Sequence, residues 1–514
     1  MSNQEKFRKE IVEKYTTKGD YIVLGGGILE GVSVSDTLVK LPLKTLNRHG
    51  LIAGATGTGK TKTLQIIAEQ LSAKGVPCLL MDVKGDLSGI AAEGKTNPKI
   101  EERHQYIGIP FEVGASPVEF LTLSEEKGAR LRATVSEFGP ILFSKILGLN
   151  DTQSGIVAVV FKYADDEDLP LLDLEDFKKV LQYLAKEGKA EAEAIYGSFH
   201  SASVGIITRK ILELEQQGAA IFFGELSFDV SDLLHQKEGK GVISIIRLTD
   251  IQDRPKLFST FMLQLLAEVY STFPETGDLE KPKLAIFIDE AHLVFDQASK
   301  ALLDQINAII RLIRSKGVGI FFITQSPTDI PEEVLGQLGL KVQHALRAFT
   351  AKDRKAIKLA AENFPVSNYY KIDELLTQMG IGEAMVTVLN EKGIPTPLVH
   401  TLLRAPQSRM DILTDDEINQ IIRSSAIQSK YSQSIDRESA KEILTKKLKE
   451  AHQETHQEKL REQKSQTTSR RTEKSKLEQV MDNTVTRQIG RTVARELTRG
   501  LLGVLGISTT KRKR

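Results

Sequence analysis

The run Gly54-Ala55-Thr56-Gly57-Thr58-Gly59-Lys60-Thr61 constrains this chain more than any other segment. It fits the pattern G-x-x-x-x-G-K-[ST] at every fixed position. Apolar residues Leu51–Ala53 precede it and TKTLQIIAEQLSAKG follows it, so strand, glycine loop and helix arrive in the order a phosphate-binding loop requires. Glycines let the backbone curl until successive N–H groups converge on phosphate oxygens. The helix then aims the positive end of its dipole at the same point. In such a loop Lys60 reaches the β- and γ-phosphates and the Thr61 hydroxyl ligates Mg²⁺, so the expected ligands are ATP and magnesium.

Around this loop the chain alternates strand-like and helix-like segments. PCLLMDV, GVISIIRL, KLAIFIDEA, VGIFFITQS, KVQHALRAF and AMVTVL are apolar strand candidates. LFSTFMLQLLAEVYSTF and SKALLDQINAIIRLIRSKG are helix candidates between them. This repetition predicts an α/β fold with a central parallel sheet covered on both faces. The expected division is a short N-terminal segment over 1–45, the first part of the ATPase domain over 46–119, a helical insertion over 120–220, the second part over 221–405 and a charged helical extension over 406–514. Within the first segment, Gly25, Gly26 and Gly27 are expected to mark a turn between short strands.

Hydrolysis needs more than a phosphate cradle. Leu284-Ala285-Ile286-Phe287-Ile288 runs into Asp289 and Glu290, an apolar strand ending in two carboxylates. Asp289 would hold magnesium through water and Glu290 would act as general base on the attacking water. The tetrapeptide Asp289-Glu290-Ala291-His292 also spells the DEAH motif of one helicase superfamily. The other motifs of that superfamily are not recognisable, and His292 is expected to start the next helix as a packing residue. The strand IFFITQS ends at Thr324 and Gln325, placing an amide near the γ-phosphate. Arg314 closes an amphipathic helix with Ile306, Ile309, Ile310 and Ile313 on one face. It suits either an arginine finger reaching a neighbouring subunit's nucleotide or a cation on the helix dipole. Arg311, Lys316 and Arg347 are weaker candidates for the same role.

With these strands in order, the chain resembles the FtsK–HerA branch of P-loop ATPases, and specifically bacterial HerA-like proteins of unassigned function. The resemblance rests on LNRHGLIAGATGTGKTKTLQ, MDVKGDLSG, GSFHSASVGIITRKILELEQQGAAIFFGE, FIDEAHLVF, GIFFITQSPTDIP and IGEAMVTVLNEKGIPTP, covering about residue 20 to residue 410. It implies a RecA-like motor domain, ring-shaped homo-hexamers with sites at subunit interfaces, and ATP-driven movement along double-stranded DNA. One departure is visible. About fifty residues precede the loop, too short for the full N-terminal barrel of HerA proper, so the resemblance does not extend to its partner nuclease or its loading mode as expectations.

Composition narrows little further. Lysine plus arginine (69) nearly cancel aspartate plus glutamate (68), so net charge says nothing about a nucleic-acid partner. No run approaches the ~18 apolar residues of a transmembrane helix, which argues against an anchored FtsK-like translocase. One cysteine, Cys78, reads as a small buried hydrophobe, and with no export signal it points to the cytoplasm. In the last forty residues Val485, Ile489, Val493, Leu497, Leu501 and Leu505 alternate with Arg487, Arg491, Arg495 and Arg499. That segment reads as a helix docked on the motor, a DNA-phosphate contact or an interfacial membrane helix. Besides the DNA motor, a nucleotide-gated assembly protein and a motor acting on polypeptide fit the same residues.

Overall fold

The computed structural model describes residues 2–198, 201–277, 279–295, 300–433, 438–450 and 453. The basic apolar segment at 485–505 and the part of the charged extension between 454 and 484 lie outside the described residues. Two compact units emerge among the described residues, one from 2–132 with Ser227–Gln433, the other from Ala133–Leu226 with 438–450.

The first unit is organised by one twelve-stranded sheet. Its strands begin with β1 (Tyr21–Leu29), β2 (Val32–Pro42), β3 (Gly50–Ala53), β4 (Cys78–Asp82), β5 (Val118–Thr122) and β6 (Ala129–Arg130). After a small separate hairpin of β7 (Gln236–Lys237) and β8 (Lys240–Gly241) come β9 (Ile243–Arg247), β10 (Leu284–Ile288) and β11 (Val318–Thr324). The last are β12 (Leu340–His344), β13 (Glu383–Thr387) and β14 (Val399–Leu403). Across the sheet the order is β2-β1-β14-β13-β12-β3-β11-β10-β4-β9-β5-β6. From β12 to β6 every pairing is parallel. These strands are apolar without alternation because both faces are covered: β3, β4, β10 and β11 are buried at every position. Phe287 of β10 stacks on Phe321 of β11 at 4.7 Å between ring centroids.

The central parallel sheet is as expected; four further strands add an antiparallel flank to it. β13, β14, β1 and β2 pair antiparallel and extend it from β12. The glycines expected to form a turn lie inside β1. Gly25 pairs with Leu403, and a Cβ there would sit 1.9 Å from the Leu402 carbonyl oxygen. Glycine is needed for close approach of two backbones rather than for chain reversal. The reversal falls at Glu30 (φ 53) and Gly31 (φ 80), both left-handed as a two-residue hairpin turn demands.

Three helices of this unit matter below: α1 (Asn3–Lys14) and α3 (Pro98–Ile107), packed on the antiparallel strands, and α2 (Lys60–Ala73). α2 leaves the glycine loop and is buried along most of its length. β5 straddles the expected start of the helical insertion at 120 and β6 falls within it; both are short strands that extend the parallel edge beyond β9.

The second unit is helical. Helices Val135–Ile146, Asp151–Asp166, Leu174–Ala185 and Ser201–Gln216 carry it. Its centre is aromatic, with Phe143 and Phe177 at 4.8 Å. Among the described residues no helix is long and apolar enough to cross a membrane.

Candidate active site

At the carboxyl ends of the parallel strands the backbone leaves β3 and turns into the glycine loop. Both flanking strands anchor the loop: Gly54 N–H donates to Thr324 O of β11 (3.2 Å), and Ala55 N–H donates to Ala345 O just beyond β12 (2.9 Å). Gly54 (φ 153), Gly57 (φ 78) and Gly59 (φ 115) all take backbone conformations closed to most side chains. Thr58 is buried and its hydroxyl donates to Ala55 O at 2.7 Å, bracing the turn. Thr56 is exposed at the rim, and Thr61, half-buried, sits in the first turn of α2.

Lys60 is 5% exposed, and its Nζ donates to Gly54 O (2.7 Å) and Ala55 O (3.1 Å), inside the curl of the loop. Burial lowers its pKa, the charge of Lys84 lowers it further, and Glu290 and Asp289 oppose both. The carboxylates thus stand within electrostatic reach of the loop lysine. They follow β10, which lies between β11 and β4. Asp289 and Glu290 are both buried, and Asp289 Oδ2 and Glu290 Oε2 make no hydrogen bond. Glu290 adopts a left-handed backbone (φ 46), and its Oε1 is ion-paired with Lys84.

The pKa of Asp289 is pushed up to about 7, first by burial and also by Glu290, against the pull of Lys84. A raised carboxylate pKa means that the folded chain holds this proton more tightly than the unfolded one. The associated stability is complete below the ordinary value of 3.8 and is lost as pH rises through about 7. Asp289→Asn is therefore expected to raise the melting temperature of the nucleotide-free protein by a few degrees at about pH 8, with the gap closing toward about pH 5. Differential scanning calorimetry across that range checks it.

Gln325 follows Thr324, the residue that accepts from the glycine loop, and is exposed at the same strand ends. Arg314 lies elsewhere. It is exposed in a single turn, Arg314–Lys316, just before β11 begins. β11 is seven residues long and parallel to β3, so Arg314 stands roughly 20 Å from its own chain's loop, at the opposite end of the strands. Lys60, Asp289, Glu290 and Gln325 share one sheet end; Arg314 does not.

Three further residues complete the site. Asp82 ends β4 and accepts from the N–H groups of Gly85 (2.7 Å), Asp86 (3.1 Å) and Leu87 (3.2 Å), which shapes the loop carrying Lys84. Burial pushes its pKa up to about 6 against those hydrogen bonds. His344 ends β12 beneath the glycine loop: a Cβ on Gly54 would lie 2.5 Å from His344 Cβ. Its Nε2 is 2.9 Å from Thr63 Oγ1, and burial, with the Lys60 charge, lowers its pKa to about 4, keeping the ring neutral. Asp82, Lys84 and His344 carry a shared sequence signal, a polar side chain at or just beyond the carboxyl end of an apolar strand.

A glycine loop opening α2, flanked by parallel strands with an acidic pair ending a neighbouring strand, defines a P-loop NTPase of the RecA-like type. The chain belongs to the helicase HerA-like C-terminal family, whose model matches residues 29–512. Among its relatives is the DNA double-strand break repair helicase HerA of Saccharolobus solfataricus, 21% identical over 354 residues, or 68% of this chain and 63% of that protein. A probable helicase of Methanocaldococcus jannaschii, MJECL08, is 24% identical over 414 residues, covering 72% of this chain and 71% of that one. The chain thus spans less than two thirds of the length of the HerA relative. In fold it is similar to the bacterial conjugative coupling protein TrwBdeltaN70, with a TM-score of 0.52 at 13% identity over 79% of this chain and 95% of that one.

Proposed function

We propose that this chain is an ATP-hydrolysing motor that works as a homo-hexameric ring on double-stranded DNA. The observation that carries the reading is the convergence of Lys60 with the paired carboxylates Asp289 and Glu290, each holding a buried oxygen without a hydrogen bond. Such oxygens cost folding energy unless a ligand uses them, and the chemistry of the set fits a magnesium nucleotide. Gly54, Ala55, Thr56, Gly57, Thr58 and Gly59 cradle the phosphates through backbone N–H groups. Lys60 exchanges its hold on the Gly54 and Ala55 carbonyls for phosphate oxygens. Thr61 and Asp289 are the groups that would hold magnesium, which neutralises charge on the phosphates when bound. Glu290 takes the proton of the attacking water. Gln325, beside the loop, offers its amide to the γ-phosphate.

Arg314 supports the ring reading. Standing at the far end of the strands from its own glycine loop, it reaches a nucleotide only when that nucleotide belongs to another copy of the chain. The substrate is read from the family and from relatives named as helicases. The cytoplasm suits a chain with a single buried cysteine.

Steady-state ATPase activity with and without linear duplex DNA tests the substrate. Stimulation of about tenfold or more is expected of a motor whose cycle is completed by its track. Turnover indifferent to DNA would overturn the DNA motor in favour of a nucleotide-gated assembly protein.

A further inference from the structure

Glu290 is held by more than its strand. Lys84, just beyond β4, ion-pairs with Oε1, while Oε2 makes no hydrogen bond and lies 3.3 Å from His292 Nδ1. β4 and β10 are parallel neighbours with Met81 opposite Ile288, which brings Lys84 and Glu290 off adjacent strand ends. Burial opposes the charge on Lys84, yet Glu290 and Asp289 hold its pKa above the ordinary lysine value. The lysine, whose side chain is only partly buried (37% exposed), therefore stays charged.

The loop bearing Lys84 is fixed from behind. Asp82 caps it from three backbone N–H groups. A segment after β14 clasps its far side: Leu413 N–H donates to Ser88 Oγ (3.0 Å), and Arg409 N–H donates to Ala92 O (2.9 Å). Gly89 is pressed so close to this segment that a Cβ would lie 2.0 Å from Asp411 O. The same segment grips α2. Glu69 accepts from Gln407 N–H (2.8 Å), Ser408 N–H (3.1 Å) and Ser408 Oγ (2.7 Å), and Lys62 Nζ donates to Met410 O (2.6 Å). Lys84 and the phosphate-binding helix are thus tied into one framework. A carboxylate whose one oxygen is tethered to that framework has its other lone pairs in a defined direction.

We propose that Lys84 is a positioning residue that tethers one oxygen of Glu290 and so aims Oε2, beside His292, at the water that attacks the γ-phosphate. The inference rests on Glu290 being the general base. Lys84 itself touches no phosphate in this account; it acts through Glu290. Its loss leaves nucleotide binding intact and lets the carboxylate swing.

The test is a double-mutant cycle on the full chain, with wild-type ATPase activity as the separate check of the enzyme reading. Lys84→Ala and Lys84→Gln are expected to lower kcat by about tenfold or more while KM for ATP and the Kd for ADP stay within about twofold. Lys84→Arg, which keeps the charge, recovers most of the rate. In a Glu290→Gln background, Lys84→Ala costs less than about twofold more, because its partner no longer acts as a base. The proposal is overturned if both neutral variants turn over like wild type. It is equally overturned if the loss persists in the Glu290→Gln background, or if ADP binding weakens in step with kcat, which would make Lys84 a phosphate ligand. Melting curves of the two neutral variants separate loss of fold from loss of positioning, since Lys84→Gln preserves most of the side chain's length.

Discussion

Glu290→Gln is expected to bind ATP and fail to hydrolyse it. The substitution keeps the shape of the side chain and an oxygen for Lys84 to hold, but removes the basic lone pair. Loss of a general base costs about 10²–10⁴-fold in rate, and a fall in kcat of that size is expected here. Affinity for ATP should change little, because the phosphates are held by the loop from Gly54 to Thr61 and not by this carboxylate. Single-turnover phosphate release alongside equilibrium ATP binding separates the two quantities. The variant should accumulate as an ATP-bound form, which also makes it the state in which to look for the ring by light scattering. Wild-type turnover in Glu290→Gln would remove the carboxylate from the chemistry.

Lys60→Ala is expected to strike binding and rate together. Lys60 is buried within the curl of the loop, and its hydrogen bonds are to Gly54 and Ala55 alone, so its truncation leaves the sheet and α2 in place. It does remove a charge from beside Asp289 and Glu290 and the one side chain in the cradle that can follow the γ-phosphate. Deleting a single pre-placed donor to a charged transition state typically costs ~10²–10³-fold in kcat, and a loss of at least that size is expected. ATP affinity should also fall by about tenfold or more, since a charge-assisted contact to phosphate is lost. Calorimetric titration and phosphate release check both, with an unchanged melting curve as the control for folding.

The parts of this site that were legible in the sequence are those decided locally. The glycine loop needs a strand, a curl and a helix in succession, and β3, Gly54–Gly59 and α2 lie in one contiguous stretch. Asp289 and Gln325 stood out because each follows a strand buried at every position, β10 and β11. The same sign was present at Asp82 in β4, at Lys84 just beyond it and at His344 in β12, but its meaning depended on which strands are neighbours. That Lys84 meets Glu290 follows from the pairing of Met81 with Ile288, a long-range property that no local pattern encodes. Gly25–Gly27 were misread because glycine serves two purposes, and only the register against Leu402 and Leu403 shows that here it serves close approach. The antiparallel flank of the sheet was not legible for a similar reason: β1 and β2 pair locally with each other, but that hairpin joins the sheet only through β14, from the other end of the unit. Arg314 was recognised as a helix-terminal cation, but its distance from the loop depends on the direction of β11, which starts just after it.

The most direct measurement is phosphate release from ATP by the purified wild-type chain in the presence of Mg²⁺. Turnover is expected to require magnesium and to exceed that of both Lys60→Ala and Glu290→Gln by about a hundredfold or more. Turnover that is absent, or that persists at the same rate in both variants, would contradict that expectation.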